Sequence, residues 1–354
     1  MPSPHVRHRL FDAGFRAIAA SGADRWLKGI AQGRGIILTF HHVDPAPARA
    51  YAPNGILTIT PDFLDEVLVT LRAKGFEVVG LDSVPERLAR PAGGRPFVVL
   101  TFDDGYRDNA RHAAPILRRH RVPWTLFVTS DFAQGRGRLW WIELERAIGR
   151  LDRIRLSQDG APPLDLPAVT APEKTEAFAA LYRRLRGGPE ERLLATIAGL
   201  CEDAGIAAGR VANELCLSWE ELRHLAADPD LTIGAHTIAH PMLAKHGEER
   251  ARHEIGEGRE RIARAIGRPV RHLSYPIGDP SSAGAREFAI ARELGFDTAV
   301  TTRPGHLFPG HAGHLHALPR VSVNGLHQSR AALGALLSGV PFLAWNRGRR
   351  LNVD

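Results

Sequence analysis

The sequence predicts an α/β protein, a distorted barrel of seven or eight parallel strands and helices, (β/α)7-8, with a helical insertion. Short apolar runs rich in β-branched residues recur along the chain, and segments with helical periodicity separate them. With 354 residues, of which 44% are hydrophobic and 24% charged, the chain is long enough for one large barrel with a substantial core. Functional residues in such a barrel are expected at the carboxyl ends of the strands.

Eight apolar runs are predicted as strands, at residues 35–40, 76–79, 97–102, 124–128, 231–235, 272–275, 298–301 and 320–323. Helices are predicted between them. One begins at Thr60-Pro61, where a capping residue precedes a proline at the first helical position, and ends at Gly75. Others are predicted at about 108–121, 248–266 and 284–294. The alternation indicates a parallel sheet covered by helices.

The chain divides into three parts. Residues 1–34 form an amphipathic helical extension, residues 35–326 the barrel, and residues 327–354 a basic tail. Within the barrel, about 140–227 reads as a helical insertion with a proline-rich turn at 161–167. Residues 9–30 have the pattern of a basic amphipathic helix, which we interpret as packing on its own domain. The alternative is a helix that contacts a membrane surface peripherally.

Composition narrows the class of protein. The chain has only Cys201 and Cys216, so no disulfide framework is expected and the cytoplasm is the expected compartment. No stretch is apolar enough to span a bilayer, and the start of the chain lacks the pattern of a secretory signal. The net charge of +7 is scattered, which argues against a nucleic-acid partner.

Two adjacent carboxylates follow a predicted buried strand. The run Phe-Val-Val-Leu-Thr-Phe-Asp-Asp-Gly at 97–105 leads directly into Asp103 and Asp104. Neighbouring acidic groups repel each other at a strand end, so a metal would account for the pair if one carboxylate binds it and the other accepts a proton. The alternative is a turn in which Asp104-Gly105 caps the next helix.

Two histidines follow another predicted strand. His236 and His240 are four residues apart, a spacing that places both imidazoles on one face of a helical turn. The strand before them should bring them to the barrel edge that carries Asp103 and Asp104. Two histidines and one aspartate form a common three-ligand set that leaves a position for water. The alternative is two unrelated histidines in a chain that has 17.

These runs resemble the motifs of a known family. Thr-Phe-Asp-Asp-Gly at 101–105 and His-Thr-Ile-Ala-His-Pro at 236–241 are similar, in this order, to the first two signature motifs of the polysaccharide deacetylases. These enzymes form carbohydrate esterase family 4, which includes nodulation-type chitooligosaccharide deacetylases and peptidoglycan deacetylases. Leu-Ser-Tyr-Pro-Ile-Gly at 273–278 resembles the third motif without its leading arginine. The similarity covers about residues 35–323.

The resemblance implies a role for each matched residue. Asp104, His236 and His240 would bind a divalent metal, usually zinc, and Asp103 would be the general base. The backbone N–H of Ile277 would stabilise the oxyanion. The implied activity is the removal of acetyl groups from N-acetylated sugars of a polysaccharide or oligosaccharide, with that acetylated glycan as the substrate.

Two positions depart from the family pattern. Ser274 stands where the third motif has an arginine that orients the catalytic aspartate, and we expect Arg320 of the last strand to replace it. The family also uses a histidine to protonate the leaving amine. The glycine-rich segment 305–316 offers four histidines, of which we choose His314: His306, His311, His314 and His316.

Further residues have two interpretations each. His41 and His42 end the first predicted strand and either support a metal ligand from behind or pack in the core. Trp140 and Trp141 are either a platform for a sugar ring or part of the core. Alternative functions are an O-acetyl esterase, a deacylase of small amides, or a metal-holding pseudoenzyme that binds glycans.

Overall fold

Parallel strands form the centre of the molecule in the computed structural model, which describes residues 4–45, 49–91, 93–158 and 161–353. The strands are β1 (Gly35–Phe40), β2 (His42–Val43), β3 (Thr58–Ile59), β4 (Glu77–Val78), β5 (Phe97–Phe102), β6 (Trp124–Val128), β7 (Arg153–Gln158), β8 (Ala161–Pro167), β9 (Leu231–Ala235), β10 (His272–Ser274), β11 (Thr298–Pro304) and β12 (Leu318–Ser322).

Seven of these strands close a barrel in the order β1, β5, β6, β9, β10, β11 and β12, and β12 pairs with β1 again. All of these pairings are parallel, as the predicted barrel requires. The short β4 pairs with the first two residues of β5, Phe97 and Val98. Strand β6 pairs only with the last two residues of β5, Thr101 and Phe102. The fold class is confirmed, with seven strands in the barrel and β4 beside it.

Helices surround the barrel. They are α1 (Pro4–Ser21), α2 (Ala23–Trp26), α3 (Lys28–Ala31), α4 (Pro61–Ala73), α5 (Val84–Ala89), α6 (Ala114–His120), α7 (Ser130–Ala133), α8 (Trp140–Arg150), α9 (Ala171–Gly187), α10 (Glu190–Asp203), α11 (Val211–Leu215), α12 (Trp219–Leu225), α13 (Glu248–Ile266), α14 (Ala285–Glu293), α15 (Arg330–Ser338) and α16 (Val340–Trp345).

Helix α4 shows why the sequence forms these elements. Thr60 accepts a hydrogen bond from the N–H of Phe63 through its side chain, and Pro61 occupies the first helical position, as predicted. The helix then buries apolar side chains at helical spacing: Phe63, Leu64, Val67, Leu68 and Leu71. It ends before Gly75, whose φ of 78° is in the left-handed region that favours glycine.

The insertion is mostly helical, but one part of its prediction was wrong. Helices α8 to α12 are present, whereas residues 161–167 form strand β8 instead of a turn. This strand pairs antiparallel with β7 in a separate two-stranded sheet. Prolines are tolerated there because both strands are edge strands, so a missing N–H breaks no inner ladder. The insertion has an apolar core of its own, distinct from the barrel core.

Both chain ends pack on the outside of the barrel. The predicted helix at 9–30 is divided into α1, α2 and α3, and α1 packs on α15. Phe11 and Phe15 contact the His327 ring, and His327 also bonds to Asp12 at 2.6 Å. One side of this segment therefore packs on its own domain. No helix in the described ranges combines the length and the apolar character that a bilayer span requires.

Candidate active site

Three side chains from two strand ends meet at one point. The Nε2 atoms of His236 and His240 lie 3.5 and 3.4 Å from Oδ1 of Asp104. Asp104 follows β5, and His236 follows β9, two strands further around the barrel. All three side chains are buried, and their donor atoms can share one metal ion.

The donor set fits a divalent metal. Bond lengths of about 2.0 to 2.2 Å in a tetrahedral site place neighbouring donor atoms about 3.4 Å apart, which matches the two distances to Asp104. Oδ1 of Asp104 is buried without a hydrogen-bond partner among the described residues. A buried carboxylate oxygen in that state is costly unless a cation satisfies it. Asp104, His236 and His240 are therefore the residues that could hold the metal.

Hydrogen bonds and neighbouring charges set the orientation and protonation of these three residues. His236 directs Nδ1 at the backbone oxygen of Ser274 (2.6 Å), so Nε2 faces Asp104. Burial lowers the pKa of His236, but the neighbouring carboxylates of Asp104 and Asp103 raise it more, and the net pKa is above its ordinary value of 6.5. Burial lowers the pKa of His240 to about 3. Burial raises the pKa of Asp104, but both imidazoles bring it well below its usual range.

Arg320 lies against Asp103, as the sequence analysis expected. Its guanidinium donates to both carboxylate oxygens, at 2.8 and 2.6 Å, from inside the barrel. Further bonds to the backbone oxygen of Thr301 and the hydroxyl of Ser274 fix the orientation of the guanidinium. Burial raises the pKa of Asp103, but the charge and hydrogen bonds of Arg320 lower it more. The carboxylate is therefore ionised and able to accept a proton.

Ile277 has an unusual backbone conformation. Its φ is 61°, in the left-handed region that a β-branched residue rarely adopts. Thr302 holds this turn, because its hydroxyl donates to the oxygen of Ile277 and its N–H donates to the oxygen of Gly278. The N–H of Ile277 donates to no acceptor among the described residues. It is thus free to bind a ligand oxygen.

Helix α13 supports the loop that carries the two histidines. The carboxylate of Glu254 accepts hydrogen bonds from the N–H groups of Ile238 and Ala239, both at 3.0 Å. One turn later, Gly258 packs against the same loop, and a Cβ there would lie 2.6 Å from the carbonyl carbon of Thr237. Sequence reasoning missed both residues. Only Gly258 had a signal, because a glycine within a helix can mark a close approach of backbones, and Gly256 in the same helix gives the same signal without such an approach.

The structure overturns the choice of His314. After Pro304 the chain turns back, and Leu307 pairs antiparallel with Gly35, the first residue of β1. The oxygen of Leu315 then accepts a hydrogen bond from Ala299, near the start of β11. The loop therefore lies toward the amino ends of the strands, and the site lies at their carboxyl ends. His314 is exposed there, and His306, His311 and His316 bond to backbone atoms.

His41 is the histidine that faces the site. It follows β1, whose Phe40 is paired with Phe102, so His41 lies beside Asp103 and shares its side of the barrel wall. Burial lowers its pKa, whereas the charges of Asp103 and Asp104 act in the opposite direction. His42 instead bonds to Asp108 at 2.5 Å and stacks on Tyr106.

The adjacent tryptophans belong to the core of the insertion. Trp140 and Trp141 are 3% and 6% exposed, so neither offers a face to a sugar ring, and that alternative was wrong. Trp141 nevertheless contacts the site, because its ring lies 4.9 Å from the ring of His240. Its indole N–H donates to the hydroxyl of Tyr106 at 3.3 Å. The insertion therefore packs behind His240, one of the three candidate metal ligands.

The packing of Gly258 leads to a testable prediction. We expect Gly258→Ala to displace the 237–238 backbone, to weaken zinc binding at least tenfold, and to lower the melting temperature, because the added methyl overlaps backbone atoms. Gly256→Ala is the matched control, since its Cβ would meet only Leu294 at 3.6 Å. That control should be neutral or stabilising by up to about 1 kcal/mol. Zinc titration and thermal unfolding measure both effects, and equal zinc affinities of the two variants would contradict the prediction.

The pKa of His236 leads to a prediction on pH. Its proton competes with a metal, so zinc affinity should fall about tenfold for each pH unit below that pKa and level off above it. His240 adds nothing to this dependence near neutral pH, because its pKa is about 3. Calorimetric titrations in buffers of different ionisation enthalpy should show about one proton released per zinc on the acidic side. An affinity that does not change with pH would contradict this expectation.

Comparisons with known proteins agree with this geometry. The family model "Polysaccharide deacetylase" matches residues 90–299, a range that includes the site residues from Asp103 to Ile277 but not Arg320. A comparison with curated protein sequences gives no significant match.

Solved structures share the fold. The Streptococcus pyogenes deacetylase PplD in complex with acetate is 16% identical, covers 82% of this chain and 92% of its own, and has a TM-score of 0.52. IcaB from Ammonifex degensii is 19% identical, with coverages of 86% and 97% and a TM-score of 0.52. A de-N-acetylase from Aggregatibacter actinomycetemcomitans is 14% identical, with coverages of 86% and 99% and a TM-score of 0.52. Because the family match spans more than half of the sequence, this chain belongs to the polysaccharide deacetylase family.

Proposed function

We propose that this chain is a metal-dependent hydrolase that removes acetyl groups from N-acetylated sugars of a polysaccharide or oligosaccharide. The observation that carries the proposal is the buried ion pair of Asp103 and Arg320 beside the donor set of Asp104, His236 and His240. A metal site alone needs no second carboxylate. A carboxylate held ionised beside that site is suited to act as a general base.

The residues of the chain divide the reaction between them. A divalent metal, for which we propose zinc, would be held by Asp104, His236 and His240 and would supply Lewis acidity toward water and an acyl oxygen. Asp103 accepts a proton from the attacking water, since Arg320 keeps its carboxylate ionised. The N–H of Ile277 donates to the carbonyl oxygen as negative charge develops there, a contribution of about 3 kcal/mol.

The leaving amine needs a proton when its bond to the acyl carbon breaks. We assign this role to His41, which replaces His314 of the sequence analysis. His41 lies beside Asp103; burial lowers its pKa on balance, and the charges of the two aspartates partly offset that effect. His42 is occupied by its bond to Asp108.

The alternative functions differ from the proposed one in the catalytic groups that they need. An O-acetyl esterase would need less help at the leaving group, because an alkoxide leaves more readily than an amide anion. A pseudoenzyme that only binds glycans was suggested by the missing arginine and the unassigned acid. The contacts of Arg320 and the position of His41 fill both roles, which favours an enzyme.

Acetate release tests the proposal. We expect the zinc-loaded protein to release acetate from N-acetylated chitooligosaccharides, and a chelator to abolish this activity until zinc is restored. Arg320→Lys should keep the zinc stoichiometry but lower kcat about 100-fold, because lysine cannot form the two parallel bonds to Asp103.

Arg303→Lys provides the matched control for Arg320→Lys. Arg303 is another buried arginine, on the neighbouring strand, and it donates to the backbone oxygen of Ala283. Equal losses of activity in Arg320→Lys and Arg303→Lys would indicate a general effect on folding. Bound zinc and bound oligosaccharide without acetate release from the wild type would instead support the pseudoenzyme, and release only from acetylated xylan would support the esterase.

His41 leads to a prediction that depends on the leaving group. His41→Gln should lower kcat for N-acetylated sugars about 10²- to 10⁴-fold, because it removes the proton donor for the amine. With 4-nitrophenyl acetate the loss should be small, since nitrophenolate leaves without a proton. His314→Gln should leave both rates unchanged, because this residue is exposed at the other end of the barrel. Equal losses on the two substrates would refute the assignment of His41.

A further inference from the structure

Exposed apolar side chains concentrate at the two chain ends. Nine large apolar residues are exposed within the described part of the chain, and five of them lie in residues 1–31 and 339–354: Leu10, Trp26, Ile30, Trp345 and Leu351. These segments hold only 47 of 354 residues. Trp26 and Trp345 are 68% and 60% exposed, whereas the other exposed residues are aliphatic. Two exposed indoles in short terminal segments are unusual for a surface that contacts only water.

The two segments lie against each other. The ring of Phe11 in α1 is 5.9 Å from that of Trp345 in α16. The guanidinium of Arg350 donates to the backbone oxygen of Ile30 at 3.1 Å. The backbone stays helical from α2 through Leu27 into α3, so Trp26 and Ile30 lie one helical turn apart. We call this surface the terminal patch, which consists of Leu10, Trp26, Ile30 and Trp345 with the exposed cations Arg25, Lys28, Arg347 and Arg349.

The two terminal segments carry most of the net charge of the protein. Residues 1–31 and 339–354 contain eight Lys and Arg and three Asp, a net charge of +5 out of +7 for the whole chain. Two of the acids have partners within the protein, because Asp12 bonds to His327 and Asp24 lies 3.9 Å from Lys74. The outward surface of these segments therefore combines cations with tryptophan.

We propose that the terminal patch docks on an anionic phospholipid surface. Indole rings favour the boundary between headgroups and acyl chains, where their apolar faces are buried and their N–H groups stay hydrated. Each cation near such a surface strengthens binding about fivefold. The patch is too strongly charged to bind a second copy of itself, because a twofold interface would place like charges together. An anionic surface neutralises them.

The terminal patch shares no residue with the candidate active site. Asp103, Asp104, His236, His240 and His41 all lie outside the two terminal segments. The proposal is thus independent of the proposed function. A failure of one does not affect the test of the other.

Binding of the full-length protein to vesicles tests the proposal. We expect co-sedimentation with vesicles of phosphatidylcholine and phosphatidylglycerol, a blue shift of tryptophan fluorescence, and at least tenfold weaker binding to vesicles of phosphatidylcholine alone. Added salt should weaken the binding to the anionic vesicles.

Variants identify the surface that binds. Trp26→Ser with Trp345→Ser should weaken binding at least tenfold, whereas Val69→Ser with Val169→Ser, at exposed sites elsewhere, should not change it. Arg25→Glu with Lys28→Glu should weaken binding at least about 25-fold by reversing two charges. Arg183→Glu with Arg192→Glu, exposed in the insertion, is the matched charge control.

The outcomes are distinct. Loss of vesicle binding by the patch variants, with a retained melting temperature, would support the proposal. No binding to anionic vesicles, or equal loss in the control variants, would overturn it. A dimer in light scattering that the tryptophan variant dissociates, without vesicle binding by the wild type, would overturn it in favour of an interface between copies.

Discussion

The site depends on the ion pair between Asp103 and Arg320. Two adjacent carboxylates at the end of one buried strand cannot both stay ionised in an apolar barrel unless each has its own cation. Arg320 balances the charge of Asp103, and a metal bound with the two imidazoles would balance that of Asp104. Loss of one partner of such a buried pair costs about 3 to 5 kcal/mol, so the pair constrains folding as well as chemistry. Arg320 is in turn fixed by Thr301 and Ser274, which come from two other strands.

Backbone strain gathers at the same end of the barrel. Six non-glycine residues have positive φ in the described ranges, and four of them lie in the loops of the site: Asp104, Thr237, His240 and Ile277. Each such conformation costs about 1 to 3 kcal/mol and persists only where neighbours enforce it. Glu254 provides that enforcement for the histidine loop, and Thr302 provides it for Ile277. Strain at these positions orients ligands and a donor N–H that relaxed turns would point elsewhere.

Sequence patterns predicted the parts of the structure that follow from local physics. The barrel strands could be predicted because apolar runs of four to six residues between turn signals are typical of buried strands. Arg320 could be proposed because a buried base requires a cation, whatever strand supplies it. The choice of His314 was wrong because the chain reverses its direction after Pro304 and carries this residue away from the site. No local sequence pattern marks that reversal. Strand β8 was missed because its prolines resemble a turn, and Glu254 because a single acidic residue in a charged helix carries no signal.

The insertion is structurally part of the site. Its apolar core includes Trp141, and it packs against Ile277 and encloses Met242, two residues after His240. The buried carboxylate of Glu190, at the start of α10, accepts a hydrogen bond from the N–H of Met242. The barrel therefore supplies the reacting groups, while the insertion fixes the back of the loops that carry them. Because packed cores resist small displacements, a change of volume in the insertion core is transmitted to His240 and Ile277 instead of being absorbed locally.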